Sequence, residues 1–234
     1  MLAIYKREMK AYFISPLGYV FLGVFLLISG GVFCLSTLYE MTSDLTEYFA
    51  TMLFCFIILL PLLTMKLFTE EKRARTEQLL LTAPVSVFSI VFAKFLAAYT
   101  MFAGATVFSG LYFLFLSFFG NVQVGLLFGN ILAILLIGMA FIAIGVFVSA
   151  ITESQLSSAI LTIGILLGFM AVSTLSDYIP VEWLRFAISS LSVFYRYQNF
   201  AHGVFDIAAR VYYLSLTGLF LTLSVRTIDS RRWR

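Results

Sequence analysis

Residues able to do chemistry are few in this sequence and unevenly placed. Only 12% of its 234 residues are charged. The densest group runs Phe68-Thr69-Glu70-Glu71-Lys72-Arg73-Ala74-Arg75-Thr76-Glu77-Gln78, followed by Leu79-Leu80-Leu81 and a stop at Pro84. Mixed charges before a leucine triplet read as a short helix at a surface, charges toward water, with Leu79, Leu80 and Leu81 as an apolar knob. A solvated loop whose leucines dip among lipid headgroups fits the same residues. A phosphate-cradling loop needs Gly, four residues, then Gly-Lys-Ser/Thr. None of Lys6, Lys10, Lys66, Lys72 or Lys94 follows a glycine. His202 is the only histidine, and a lone histidine reads as a surface or interfacial side chain. Cys34 and Cys55 both lie in apolar runs and read as small packed hydrophobes. No nucleophile stands beside a base. The residues offer no catalytic, cofactor-binding or metal-ligating set, and an enzyme is not expected.

The elements that must position these residues belong to a membrane. Hydrophobic residues make up 62% of the chain, against about 45–50% apolar in a soluble domain. A chain this short cannot hide that much apolar surface against itself. A bilayer core of roughly 30 Å is crossed by roughly 20 apolar residues. Charge-free runs of that length occur near 16–39, 48–65, 95–119, 126–150, 156–175 and 211–225. The expected fold is therefore an all-α integral membrane protein of six spans, a single domain over 1–234. Pro61 is expected to kink the second span near its end.

Residues 1–15 mix Lys6, Arg7, Glu8 and Lys10 with apolar side chains, which suits an interfacial helix that Ser15-Pro16 ends. The apolar run after it is longer than a signal-peptide core, so no cleavable signal is expected. Lysine and arginine crowd the ends holding residues 1–15, 66–94 and 226–234, while Arg185, Arg196 and Arg210 alone mark the other side. The basic side is cytoplasmic by the positive-inside rule, which puts both termini there.

Glu70-Glu71-Lys72, Thr76, and Leu79-Leu80-Leu81-Thr82-Ala83-Pro84-Val85-Ser86 resemble the coupling segment of type-2 ABC exporter permeases. The commonest form of that segment has Gly-Thr-Leu-Glu before the leucines; here Arg75-Thr76-Glu77-Gln78 stand in those places. Gly145-Val146-Phe147-Val148-Ser149-Ala150 followed by Glu153-Ser154-Gln155 is similar to the fourth-span exit of such permeases. Leu191-Ser192 through Tyr197, Phe200, His202-Gly203-Val204-Phe205-Asp206 and Tyr213 resemble a narrower group, the gliding-motility and nitrous-oxide-reductase-maturation permeases.

The resemblance implies a permease subunit of an ATP-driven exporter in a bacterial inner membrane. Two copies, or two related permeases, would form the pathway, with lipid around them and no nucleic acid. Separate ATPase subunits would bind the ATP and magnesium, leaving no cofactor in this chain. Residues 66–94 would be the coupling segment. Glu70, Glu71, Arg73, Thr76, Glu77, Leu79, Leu80, Leu81 and Pro84 would form the ATPase interface, the leucines its core and the glutamates its rim. Residues 1–15 would be an elbow helix clasping the ATPase, and Glu153, Ser154 and Gln155 a second cytoplasmic loop.

Three matters stay open at this level. The segment 177–210 is too apolar for a free loop and reads either as helices dipping into the outer leaflet or as a surface amphipathic pair. Gly164 and Gly168 have the spacing of close helix packing, within one subunit or between two. The same features also fit a membrane scaffold whose ATPase cycle does mechanical work without moving a solute. A self-sufficient carrier fits less well, because the spans lack ionisable residues to couple an ion gradient. The 26 phenylalanines suit an apolar cargo and lipid contact equally.

Overall fold

The structure, a computed structural model, describes residues 1–41, 45–76, 85–118, 124–176, 192–194, 196–197 and 207–232. Six helices among them are long and apolar enough to cross a membrane. The described residues contain helices and no strand.

Helix α1 spans Leu2–Ile14 and ends at Ser15, whose backbone is extended (φ −76°, ψ 142°). Proline then opens α2, Pro16–Phe33, and the Ser15 side chain accepts a hydrogen bond from the Leu17 amide. The first-turn proline is what the sequence predicts, and the Ser15 N-cap completes the corner. The corner is tight: a Cβ on Gly18 would stand 2.3 Å from the Tyr12 carbonyl oxygen, so only glycine lets α2 fold back so closely on α1. A π-helical turn, Cys34–Tyr39, completes the first span.

The second span is α3, Thr46–Thr64, and it breaks at Met65 before α4, Lys66–Arg73, carries the chain onward. The break falls one turn after Pro61, and there the Met65 amide still donates to the Pro61 carbonyl at 2.9 Å. Helix α5 covers Val87–Ser117, α6 Val124–Ile151, α7 Gln155–Ser176 and α8 Ile207–Arg232. Alternate crossings return the chain to the end where it began, here called the basic end.

One boundary moves. The sequence places the start of the third span at 95, after Lys94; the helix begins at Val87, capped by Ser86, whose Oγ accepts from the Ser89 amide at 3.3 Å. At 31 residues α5 is about 46 Å long, more than a bilayer core requires, and Lys94 lies in its second turn.

Small side chains bring the central helices together. Ala97, Ala98 and Ala105 of α5 and Ala133, Ala140 and Ala143 of α6 have no exposed surface. Without a hydrophobic force between helices in lipid, such close contact supplies the packing energy. Toward the other end, rings fill the space: Phe33 stacks on Tyr112 at 5.4 Å, and Tyr48 meets Phe113 edge-on at 5.1 Å.

The outer segment contributes to this core. Val193 is fully buried and Tyr197 nearly so. Tyr197 donates to Asn130 Oδ1 at 2.9 Å, Tyr213 donates to the Val193 carbonyl at 2.7 Å, and the Phe194 ring lies 6.3 Å from Phe54. Phe54 sits about two turns inside α3. Val193 and Tyr197 are therefore packed into the bundle, while 177–191, 195 and 198–206 lie outside the described residues.

Candidate coupling site at the basic end

Helix α4 extends the second span beyond its break, and its inward side chains meet two neighbours. Lys94, 1% exposed, is the centre. Its Nζ donates to the Leu67 carbonyl at 2.6 Å and pairs with Glu71 Oε1 at 3.0 Å and Glu8 Oε1 at 3.2 Å. It also lies 5.1 Å from the Phe68 ring centroid. Arg7 reaches the same two carboxylate oxygens, Glu8 at 2.7 Å and Glu71 at 2.8 Å. Two cations and two carboxylates thus close a neutral ring joining α1, α4 and α5. Neutrality matters, because an unmatched charge buried this deeply would be costly.

The ring shapes its surroundings. Burial would lower the proton affinity of the Arg7 guanidinium, but the hydrogen bonds and charges of Glu8 and Glu71 outweigh it and hold the group above its ordinary value. Tyr12, buried beside Glu8, has its phenol pushed well up by burial first and the Glu8 charge second. It remains a neutral donor and bonds the Leu63 carbonyl at 3.1 Å, fastening α1 to the end of α3. Tyr5 adds a bond to Thr100 Oγ1 of α5 at 3.1 Å.

A second set of contacts ties α4 to α6. Lys72 Nζ donates to the carbonyls of Ala150 and, at 2.8 Å, Thr152. Carbonyls at a helix C-terminus lack internal partners and carry partial negative charge, so an ammonium suits them. Ser149 Oγ accepts from the Phe68 amide at 3.0 Å and donates to the Met65 carbonyl at 3.3 Å, satisfying groups freed by the break between α3 and α4. The end of α3 approaches α6 closely because residue 145 is glycine; a Cβ there would stand 2.1 Å from Thr64 Oγ1.

The far end of α4 stops in a defined way. Ala74, Arg75 and Thr76 donate their amides to the carbonyls of Glu70, Lys72 and Glu71. Arg75 adopts a left-handed backbone, φ 56°. This is the Schellman ending, whose left-handed position is most often glycine. Arg75 occupies the place where the coupling-segment pattern has glycine, and it keeps the turn at the cost of strain.

Of the residues singled out from sequence, Glu70, Arg73 and Thr76 are exposed on α4 and its end, while Glu71 turns inward to Arg7 and Lys94. Glu77, Leu79, Leu80, Leu81 and Pro84 lie outside the described residues. So does His202. Glu153 and Ser154 are exposed, Gln155 is half-buried, and Ser154 caps α7 by accepting from the Ser157 amide at 3.1 Å. Among the described residues nothing stands within 4 Å of a Cβ added at Gly164 or Gly168, so that face of α7 is open. Sequence reasoning passed over Arg7, Glu8 and Lys94 as a unit. The available signal was a lone lysine following the Ser86-x-x-Ser89 cap, inside what is otherwise an apolar helix.

Helix α4 is bonded through Glu71 to Lys94 of α5 and Arg7 of α1, and through Lys72 and the Phe68 amide to the end of α6. No curated protein matches the chain. The family model described as ABC-2 family transporter protein matches residues 2–223. With six spans, and with that match running from the first turn of α1 into the last helix, this chain belongs to the ABC-2 family, the membrane-spanning permease components of ABC transporters.

Proposed function

We propose that this permease serves an exporter and is driven by separate ATPase subunits that dock on residues 70–84. The observation that supports this most is the buried ring of Arg7, Glu8, Glu71 and Lys94, which makes α4 a lever anchored on two other elements, α1 and α5. Glu70 and Arg73 form the polar rim of the docking surface, Leu79 and Leu80 its apolar core, and Glu71 acts from inside by holding the lever in place. The ATPase carries the nucleotide and magnesium. The basic end faces the cytoplasm of a bacterial inner membrane. Two permeases assemble around one pathway, packing on the open face of α7 at Gly164 and Gly168. The gliding-motility and nitrous-oxide-reductase-maturation permeases are the proposed subgroup, on the residues from Leu191 to Tyr213 that resemble theirs.

A tagged pull-down from gently solubilised membranes, with the double variant Leu79→Asp, Leu80→Asp beside the native chain, tests the docking. The native chain is expected to bring down a soluble protein with a phosphate-binding loop in stoichiometric amount. The variant should insert normally and lose it. A variant that still binds and stimulates its ATPase would refute the assignment. Flux into vesicles then separates an exporter from a scaffold, which would hydrolyse ATP without moving a solute.

A further inference from the structure

The geometry points to a binding site for an aminophospholipid headgroup in the cleft between α1 and α4. The cleft has a volume of about 200 Å³ and lies outside the buried ring, on the other side of Glu8. One wall is a single face of α1, Glu8, Ala11 and Tyr12, spaced as residues that line up along a helix. The opposite wall is Lys66 and Glu70 of α4, and Leu17 closes the end where α1 turns into the first span.

Position selects a lipid. The cleft borders the Ser15-Pro16 corner, where a surface-lying helix becomes a spanning one. That corner stands at headgroup depth. Leu17 and Ala11 offer an apolar sill on the side of the first span, over which acyl chains would leave toward the bilayer. Tyr12, fixed to the Leu63 carbonyl, walls off the interior.

Charge selects the headgroup. The walls carry one ammonium, Lys66, and two carboxylates, Glu8 and Glu70. Glu8 Oε1 is already held by Arg7 and Lys94. A phosphate can take Lys66 while a primary ammonium donates to Glu70 and Glu8, each contact a charge-assisted hydrogen bond. A phosphatidylglycerol would bring a net negative head toward two carboxylates, with only neutral hydroxyls to donate to them in place of an ammonium. A choline head has no N–H to donate. The order expected is therefore ethanolamine above choline and glycerol heads.

The test is native mass spectrometry of the full chain, released from bilayers of phosphatidylcholine doped with phosphatidylethanolamine or with phosphatidylglycerol. Phosphatidylethanolamine should be retained preferentially. Glu70→Gln should lower its retention about tenfold, as the loss of one charge-assisted bond implies. Ala11→Trp fills the cleft without touching a charge and should abolish the preference even if Glu70→Gln folds poorly. Equal retention of the three lipids, or a preference that survives Ala11→Trp, overturns the assignment. So does a result in which an Ala11→Cys probe ignores lipid composition and is shielded only by the ATPase subunit, because the cleft then belongs to the partner.

Discussion

Lys94 illustrates how a charge can belong inside an apolar helix. Its side chain is 2% exposed and its partners Glu8 and Glu71 are 13% and 17% exposed, so water screens the cluster poorly. Removing one member strands the others. Lys94→Met is expected to cost about 3 kcal/mol, the lower end for breaking a buried pair, because Arg7 still reaches both carboxylates. Lys94→Arg should recover much of that. Thermal unfolding in detergent checks both, and adding Glu71→Gln to Lys94→Met should cost less than the two single changes together. None of this pairing could be read from the sequence. Glu8 and Lys94 stand 86 positions apart, and no local pattern links residues so distant.

At the scale of elements, what could be read was what local chemistry dictates. Ser15-Pro16 marked the corner between α1 and α2, and charge-free runs marked the spans. The start of α5 was hidden because a lysine in an apolar run is costly unless paired, and the partners lie on other helices. The inward turn of Glu71 was hidden for the same reason: neighbouring glutamates look alike until the helix face they share is known. The Schellman ending of α4 carries its own prediction. Arg75→Gly removes the left-handed penalty on a side chain and should raise stability by about 1 kcal/mol, read as a higher unfolding midpoint. An unchanged midpoint would mean that contacts of the Arg75 side chain offset the strain.

For the molecule as a whole, six helices are long and apolar enough to cross a membrane, and the proposal that the basic end faces the cytoplasm can be tested directly. A cysteine at exposed Arg75 should react with an impermeant maleimide in inverted vesicles and stay protected in intact cells. On α7, Leu167 is 48% exposed beside the open glycine face, and Leu167→Cys should crosslink to a second permease on mild oxidation. Failure at both Leu161 and Leu167 would remove this helix from the subunit interface. The ring of Arg7, Glu8, Glu71 and Lys94 also bears on how the chain is made. Arg7 and Glu8 emerge first and are paired as neighbours, so the first carboxylate enters the membrane surface already neutralised. Glu71 follows, and Lys94 arrives last to pair with both carboxylates. A nascent chain arrested before its third hydrophobic stretch would hold Arg7 between two carboxylates with no buried lysine. The elbow could dock on the second span through Tyr12 yet not lock there until the third span is in place.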